Sequence, residues 1–354
     1  MELEKLGWTS SLEESFAPFA ATGLVPGRVS AAHTHLYRVL TRAGDWLAEV
    51  TGRLRHEARG PEDFPAVGDW VALQPRPGEE RAQVHAVLPR KSAFVRKAAG
   101  SATEAQVLAA NVDTVFLVAG LDHDFNPRRI ERALVLAWES GASPVVVLNK
   151  ADLGGDIEAP RLAMEAAAPG VPVHLVSGRR GDGMEALEPY LAPGRTVVLL
   201  GSSGVGKSTL VNRLLGEDRQ PTAEVRPHDQ RGRHTTTHRE LIALPGGAVL
   251  VDTPGLREIQ LWATEEGLAG AFEDVARLAR GCRFRDCRHR GEPGCAVQAA
   301  VAAGELAAER LQSHQKLEAE LRHLEVKADL GLQRAQKARW RAIHKAARHH
   351  RPRE

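Results

Sequence analysis

Short punctuated strands, then apolar strands alternating with helical stretches, then a helical segment around clustered cysteines predict a multidomain α/β protein. The expected order is an N-terminal OB-like β-barrel, a central P-loop domain and a C-terminal helical, zinc-binding domain. The central motifs stand in a circularly permuted order. At 354 residues the chain has room for two or three cores. We draw the boundaries at 1–100, with an N-terminal extension before the barrel, 101–262, and 263–354, which ends in a basic tail.

The barrel rests on Arg28-Val29-Ser30, Leu36 to Leu40, Trp46 to Val50 and Trp70 to Leu73, runs with rough apolar alternation. Gly44-Asp45, Gly60-Pro61 and Gly68-Asp69 punctuate them. Fewer than 100 residues and about five strands favour an OB-like barrel, with an SH3-like barrel as the alternative. The central domain rests on strands at Val112 to Ala119, Pro144 to Leu148, Pro172 to Val176, Thr196 to Leu200 and Ala248 to Val251. Helical spacing marks Pro127 to Glu139, where Ile130, Ala133, Leu134 and Ala137 share a face, and a helix should follow Lys207. Ala299 to Leu324, rich in Ala, Leu and Glu, predicts helix in the third region.

Composition excludes some classes. Hydrophobic content is 43%, ordinary for a globular protein, and net charge is only +2. No apolar run approaches the ~18–20 residues of a membrane span, and the first residues lack a secretory h-region. All three cysteines fall within Cys282–Cys295, which points to a metal in a reduced compartment, the cytoplasm, and not to disulfides. No membrane partner is expected, and a monomer is the default.

Each chemical motif follows an apolar strand, where open parallel sheets bind ligands. Gly201, Ser202, Ser203, Gly204, Val205, Gly206, Lys207 and Ser208 form G-x-x-x-x-G-K-S, with Thr209 behind it. Such a loop turns backbone N–H groups onto phosphates. Lys207 would reach the β- and γ-phosphates, and Ser208 would ligate Mg²⁺. Asp252-Thr253-Pro254-Gly255 reads as D-x-x-G, with Asp252 on the magnesium shell and the Gly255 N–H sensing the γ-phosphate. Asn149, Lys150, Ala151 and Asp152 read as N-K-x-D. A carboxylate at Asp152 accepts from the N1–H and N2 amine of guanine, a donor pair that adenine lacks. Asn149 would tie this loop to the P-loop, Lys150 would cover the base, and Ser177 would complete the pocket through its backbone N–H. The expected ligands are GTP and GDP.

The base-reading motif precedes the P-loop by about fifty residues, the reverse of the ordinary GTPase order. Between P-loop and D-x-x-G lies Gly232-Arg233-His234-Thr235-Thr236-Thr237. We favour Thr236 as the threonine that closes over the γ-phosphate and magnesium, with the register among the three left open. Leu256 stands where a water-orienting glutamine is found in Ras-type enzymes, so His234 is the candidate to position water.

Cys282, Cys287, His289 and Cys295 follow C-x4-C-x-H-x5-C. Three thiolates and one imidazole close a tetrahedral Zn²⁺ shell, hence one structural zinc. For RNA contact, the barrel offers Arg28, Tyr37, Arg38, Arg42, Arg53, Arg55, Arg90, Lys91, Arg96 and Lys97. The tail offers Arg334, Lys337, Arg339, Trp340, Arg341, Lys345, Arg348, Arg351 and Arg353.

Together with Val67-Gly68-Asp69-Trp70 and Leu88-Pro89-Arg90, these motifs make a chain that resembles, over nearly its whole length, the ribosome small-subunit-dependent GTPase A family (RsgA, also called YjeQ or YloQ). The resemblance implies an OB-fold, a permuted GTPase domain and a zinc domain. It also implies a late maturation factor of the small ribosomal subunit that contacts its rRNA and is stimulated by it. His234 stands at the family's proposed catalytic histidine. Rival readings are an ATPase or kinase, against which Asn149 to Asp152 argue, and a GTP-gated RNA-binding module with little hydrolysis.

Overall fold

The computed structural model describes residues 2–33, 36–97, 105–217, 240–252 and 265–328. Helix α1 (Ser10–Ala20) precedes the barrel strands β1 (Val25–Ala32), β2 (Tyr37–Thr41), β3 (Gly44–Val50), β4 (Trp70–Pro75) and β5 (Arg81–Val87), with α2 (Gly52–Glu57) after β3. The strands follow the order β1-β2-β3-β5-β4, and β1 pairs with β4 to close the ring. Only β3 and β5 run parallel. This closed five-stranded ring is the OB-like alternative of the two barrels expected. Val29, Val39, Ala48, Val71, Leu73 and Val84 fill its interior. Leu3, Leu6, Trp8 and Phe16 pack outside it against Trp70 and Leu88. The strand runs give no sign of α1, whose start is capped by Thr9 accepting from the Leu12 N–H.

Strands β6 (Ala93–Lys97) and β7 (Ala105–Ala110) pair antiparallel. The nucleotide domain continues with β8 (Thr114–Gly120), α3 (Pro127–Ser140), β9 (Ser143–Asn149), α4 (Glu158–Ala167), β10 (Val173–Leu175), β11 (Thr196–Leu200), α5 (Lys207–Leu215), β12 (Glu240–Ala243) and β13 (Val249–Asp252). Their spatial order is β10-β9-β8-β11-β13-β12. The first five are parallel and β12 is antiparallel to β13. The P-loop strand β11 is therefore central, while the strand that carries the base motif, β9, comes earlier in the chain. The expected strands and helices lie within one or two residues of those observed. Helix α3 starts where Asn126 caps and Pro127 fixes the first turn, and it stops at Gly141.

Barrel and nucleotide domain share one sheet, because β12 meets β1 at Ala31 and Glu240. A second junction is polar. Arg28 is 1% exposed, and its guanidinium donates to Leu6 O, Gly68 O, Asn111 O and Thr196 Oγ1. It also lies over the Trp70 ring. Burial pulls its pKa down to about 10 against the pull of Asp113 and Asp69, so it stays charged at neutral pH. Gly68 has φ +94, and a Cβ there would stand 2.1 Å from Ala110 O. Only glycine permits that approach. Asp69, fully buried, accepts from Arg90 at 2.7 and 2.8 Å and from Ala66 N at 2.7 Å. Arg28, Tyr37 and Arg90 are thus removed from the expected RNA-facing set, because each is buried or committed inside the fold. Arg38, Arg42, Arg53, Arg55 and Lys91 remain on the surface.

The third region holds α6 (Glu265–Ala271), α7 (Glu273–Ala279), α8 (Ala296–Ala302) and α9 (Ala308–Ala328). The helix expected across Ala299 to Leu324 is broken at Gly304, whose φ of +76 ends α8. Arg310, on α9, is 6% exposed. It reaches Glu131 on α3 at 2.9 Å, the carbonyls of Ala167 and Ala271, and Asp274 on α7 at 3.0 Å, stacked on Phe272. The Ser313 hydroxyl donates to the second Glu131 oxygen, which completes a buried, fully paired network. Among the described residues no helix is long and apolar enough to cross a membrane.

Arg28→Met removes the donor from the Leu6 and Asn111 carbonyls and the Thr196 hydroxyl, and one of the two donors to the Gly68 carbonyl. It should destabilise the chain by roughly 3–5 kcal/mol. Urea denaturation checks this, and a midpoint within error of wild type would show the junction to be dispensable.

Candidate functional site

The nucleotide motifs converge at the carboxyl ends of β9, β10, β11 and β13. Asn149 closes β9 and is 2% exposed. Its amide nitrogen donates to the Val205 carbonyl inside the P-loop at 2.9 Å. Its amide oxygen accepts from the Gly178 N–H at 2.9 Å. One side chain therefore joins three loops. The P-loop must make room for it. A Cβ on Gly206 would sit 2.3 Å from Asn149 Nδ2, and Gly206 itself has φ +92. The second glycine of the motif thus serves the base loop as well as the phosphate turn.

Lys207 opens α5 and is 7% exposed. Its ammonium lies on the P-loop carbonyls of Gly201, at 2.6 Å, and Ser202. Ser208 and Thr209, half-buried, occupy the same first turn, where the helix dipole favours an anion. Ser203 and Gly204 form the exposed tip. Asp252 ends β13, the strand beside β11.

Beyond Asn149, Lys150 adopts φ +70 and its ammonium pairs with Asp122 at 2.6 Å. Ala151 and Asp152 lie in a short 3₁₀ turn. The Ser177 hydroxyl donates to Asp152 Oδ1 at 2.6 Å and holds its carboxyl below the usual range, helped by the field of Arg180 and Arg179. The Ser177 backbone N–H, expected to face the base, is instead donated to Asp182 O at 2.8 Å. The tight 177–183 turn uses it, so the hydroxyl is what meets the base loop. Two further residues, absent from the motif reading, brace this turn. Gly178 supplies the N–H to Asn149, and Arg213 on α5 donates to the carbonyls of Gly178 and Arg179. No spacing rule could have found Arg213, since it acts only across the fold.

His234, Thr236 and Gly255 lie outside the described residues, as do Leu256 and the basic tail.

Cys282, Cys287, His289 and Cys295 bring their ligand atoms within 4.8 Å of one another. Cys282 Sγ lies 3.9 Å from Cys295 Sγ, and His289 Nδ1 lies 3.6 and 3.4 Å from the two sulfurs. Bonds of ~2.3 Å to sulfur and ~2.0 Å to nitrogen in a tetrahedron require about 3.8 and 3.5 Å. The four groups fit one metal ion. Although the His289 backbone N–H lowers it, burial and the facing Cys295 and Cys282 thiols push the Cys287 thiol up to about 12. A thiol held that high stays protonated at neutral pH unless a cation stands beside it. Three features place His289, which has φ +57. Cys295 caps α8, Gln298 on α8 donates to the His289 carbonyl, and Gln315 on α9 does the same, each at 2.6 Å.

The RsgA GTPase family model matches residues 87–262. The chain is 50% identical to the small ribosomal subunit biogenesis GTPase RsgA of Opitutus terrae, covering 98% of this chain and 97% of that protein. It is 46% identical to RsgA 2 of Lactiplantibacillus plantarum, covering 91% and 90%. Among solved structures it is similar to YjeQ from Thermotoga maritima, with a TM-score of 0.65 and 28% identity over 84% of this chain and 98% of that one. It is also similar to YloQ, described as a circularly permuted GTPase, with a TM-score of 0.61 and 25% identity over 85% and 96%.

Removing the Ser177 hydroxyl should release Asp152. In the native protein its carboxyl titrates below the usual aspartate range, so its ionised form favours the fold at and above that range and the benefit is lost as pH falls through the lowered value. Carbon-detected NMR of Ser177→Ala should show the Asp152 titration moved upward. An unmoved titration would mean that its backbone N–H and the field of Arg180 and Arg179 set it without the hydroxyl.

Proposed function

The chain belongs to the RsgA GTPase family, and from that membership we propose that it hydrolyses GTP in the biogenesis of the small ribosomal subunit. The observation that carries this reading is the Asn149 strap, which fastens a guanine-reading loop to a P-loop across the sheet. Asp152, half-buried and held ionised by Ser177, would accept the two guanine donors. The P-loop N–H groups and Lys207 would hold the phosphates. Ser208 and Thr236 would hold Mg²⁺, with Asp252 behind water, and the Gly255 N–H would read the γ-phosphate. A bound Mg²⁺ supplies charge neutralisation at the β,γ-bridge. His234 would position the attacking water, since Leu256 has no hydrogen-bonding group to do so.

The working division is 1–100, 101–262 and 263–354. The exposed barrel cations and the basic tail would contact rRNA, and Zn²⁺ would be the ion that closes Cys282, Cys287, His289 and Cys295. The chain would work in the cytoplasm as a monomer, without a membrane. The C-terminal helices follow directly behind D-x-x-G, so release of that loop on hydrolysis would change how they and the barrel grip the subunit.

The deciding experiment is turnover of GTP by the full-length, zinc-loaded protein, alone and with small ribosomal subunits, with ATP as control. GTP-specific turnover stimulated by the subunit is expected. Tight GTP binding without turnover in either condition would favour a nucleotide-gated RNA-binding module. Equal use of ATP would overturn the guanine assignment.

Zinc is tested separately. The purified chain should hold one zinc per molecule, and Cys282→Ser should lose it together with helical circular dichroism from α8. Retention of structure after complete chelation would show that the metal is not structural.

A further inference from the structure

Resting on the nucleotide-site reading above, we propose that Asp122 is a positioning residue of the guanine pocket, which sets nucleotide affinity by holding Lys150 in place. Asp122 belongs to none of the nucleotide motifs. It stands in the turn just past β8, and three contacts fix it there. The Leu121 N–H donates to the Asn149 carbonyl at 2.8 Å, which seats this turn against the end of β9. Asp122 Oδ1 accepts from the Asp124 N–H at 3.1 Å, which orients the carboxylate. Asp122 Oδ2 then accepts from Lys150 Nζ at 2.6 Å.

The pair is sheltered. The two side chains are 20% and 17% exposed, so water and salt screen it less than a surface ion pair. The field and hydrogen bond of Lys150 outweigh the cost of burial and keep the Asp122 carboxyl below its usual range.

Lys150 needs such a partner. Its backbone is left-handed, and its stem runs past the P-loop, with Cε 4.0 Å from the position a Cβ on Gly206 would take. A lysine side chain loses much rotamer freedom when it is ordered. Asp122 orders it before the nucleotide arrives, so binding does not bear that cost. There is also a charge argument. Lys150 stands two residues from Asp152, and an ammonium without Asp122 would compete with guanine for the Asp152 carboxylate. Asp122 draws it to the other side of the loop.

The test is a double-mutant cycle on the full-length, zinc-loaded protein, read by fluorescence titration with methylanthraniloyl-GDP and by steady-state GTP turnover. Asp122→Ala should raise Kd and KM about tenfold and leave kcat within about twofold. Asp122→Glu should recover part of the loss. In a Lys150→Met background, Asp122→Ala should have no further effect. Additive losses in the double variant, an unchanged Kd, or a fall in kcat at unchanged KM would each overturn the proposal. Should Asp122→Ala fail to fold, Asp122→Asn, which keeps the shape without the charge, is judged by the same criteria. If the wild-type protein does not bind the probe, the nucleotide reading itself falls. If it binds and Asp122→Ala binds equally well, only the Asp122 proposal falls.

Discussion

A single buried guanidinium sets the frame in which everything else is placed. Arg28 sits on a barrel strand yet donates to the N-terminal segment, to the Gly68 turn, to Asn111 and to Thr196. Thr196 is the first residue of β11, the strand that ends in the P-loop. A charge this deep must have its donors satisfied, so the four partners are constrained to meet at one point. Asp113, beside it, accepts from the Thr196 N–H and from Lys91 and Arg195, which anchors the same strand end. The barrel is thereby docked to the base of the strand whose far end carries the P-loop.

At that far end the permutation loses its importance. Spatial neighbours in a parallel sheet are fixed by strand order, and β9, β8 and β11 lie side by side whichever is made first. The base loop and P-loop open on the same edge, and Asn149 spans the gap. What the permutation changes is which segments follow the D-x-x-G motif. Here they are the helices of the third region, which are tied to α3 through Arg310 and Glu131. The third region is therefore linked to the nucleotide domain both covalently and by a buried ion-pair network.

The cysteine cluster shows the same economy of parts. Cys295 is at once a member of the four-residue cluster and the cap of α8. Gln298 and Gln315, from two helices, converge on the carbonyl of His289 and hold that residue in its left-handed turn. The loop between these four residues has few apolar groups, so its shape depends on the packing of the cluster and its helical supports.

Much of this was legible without coordinates. Apolar runs located the inner sheet strands β8, β9, β11 and β13, because their side chains are buried on both faces. The motifs located the P-loop, the Asn149 loop and the cysteine–histidine cluster, because such motifs place particular residues at fixed local spacing. The barrel was harder, since strand runs do not state which edges close, and α1 gave no signal. The pairing of β1 with β4, and with β12, came only from the tertiary structure. So did the burial of Arg28 and Arg90, which look like surface cations in a sequence. So did the contacts of Asp122 and Arg213, which act across the fold on partners far away in the chain. Local chemistry is written in local spacing. Long-range polar contacts are not, because any arginine or aspartate can make them and only the packed chain decides which one does.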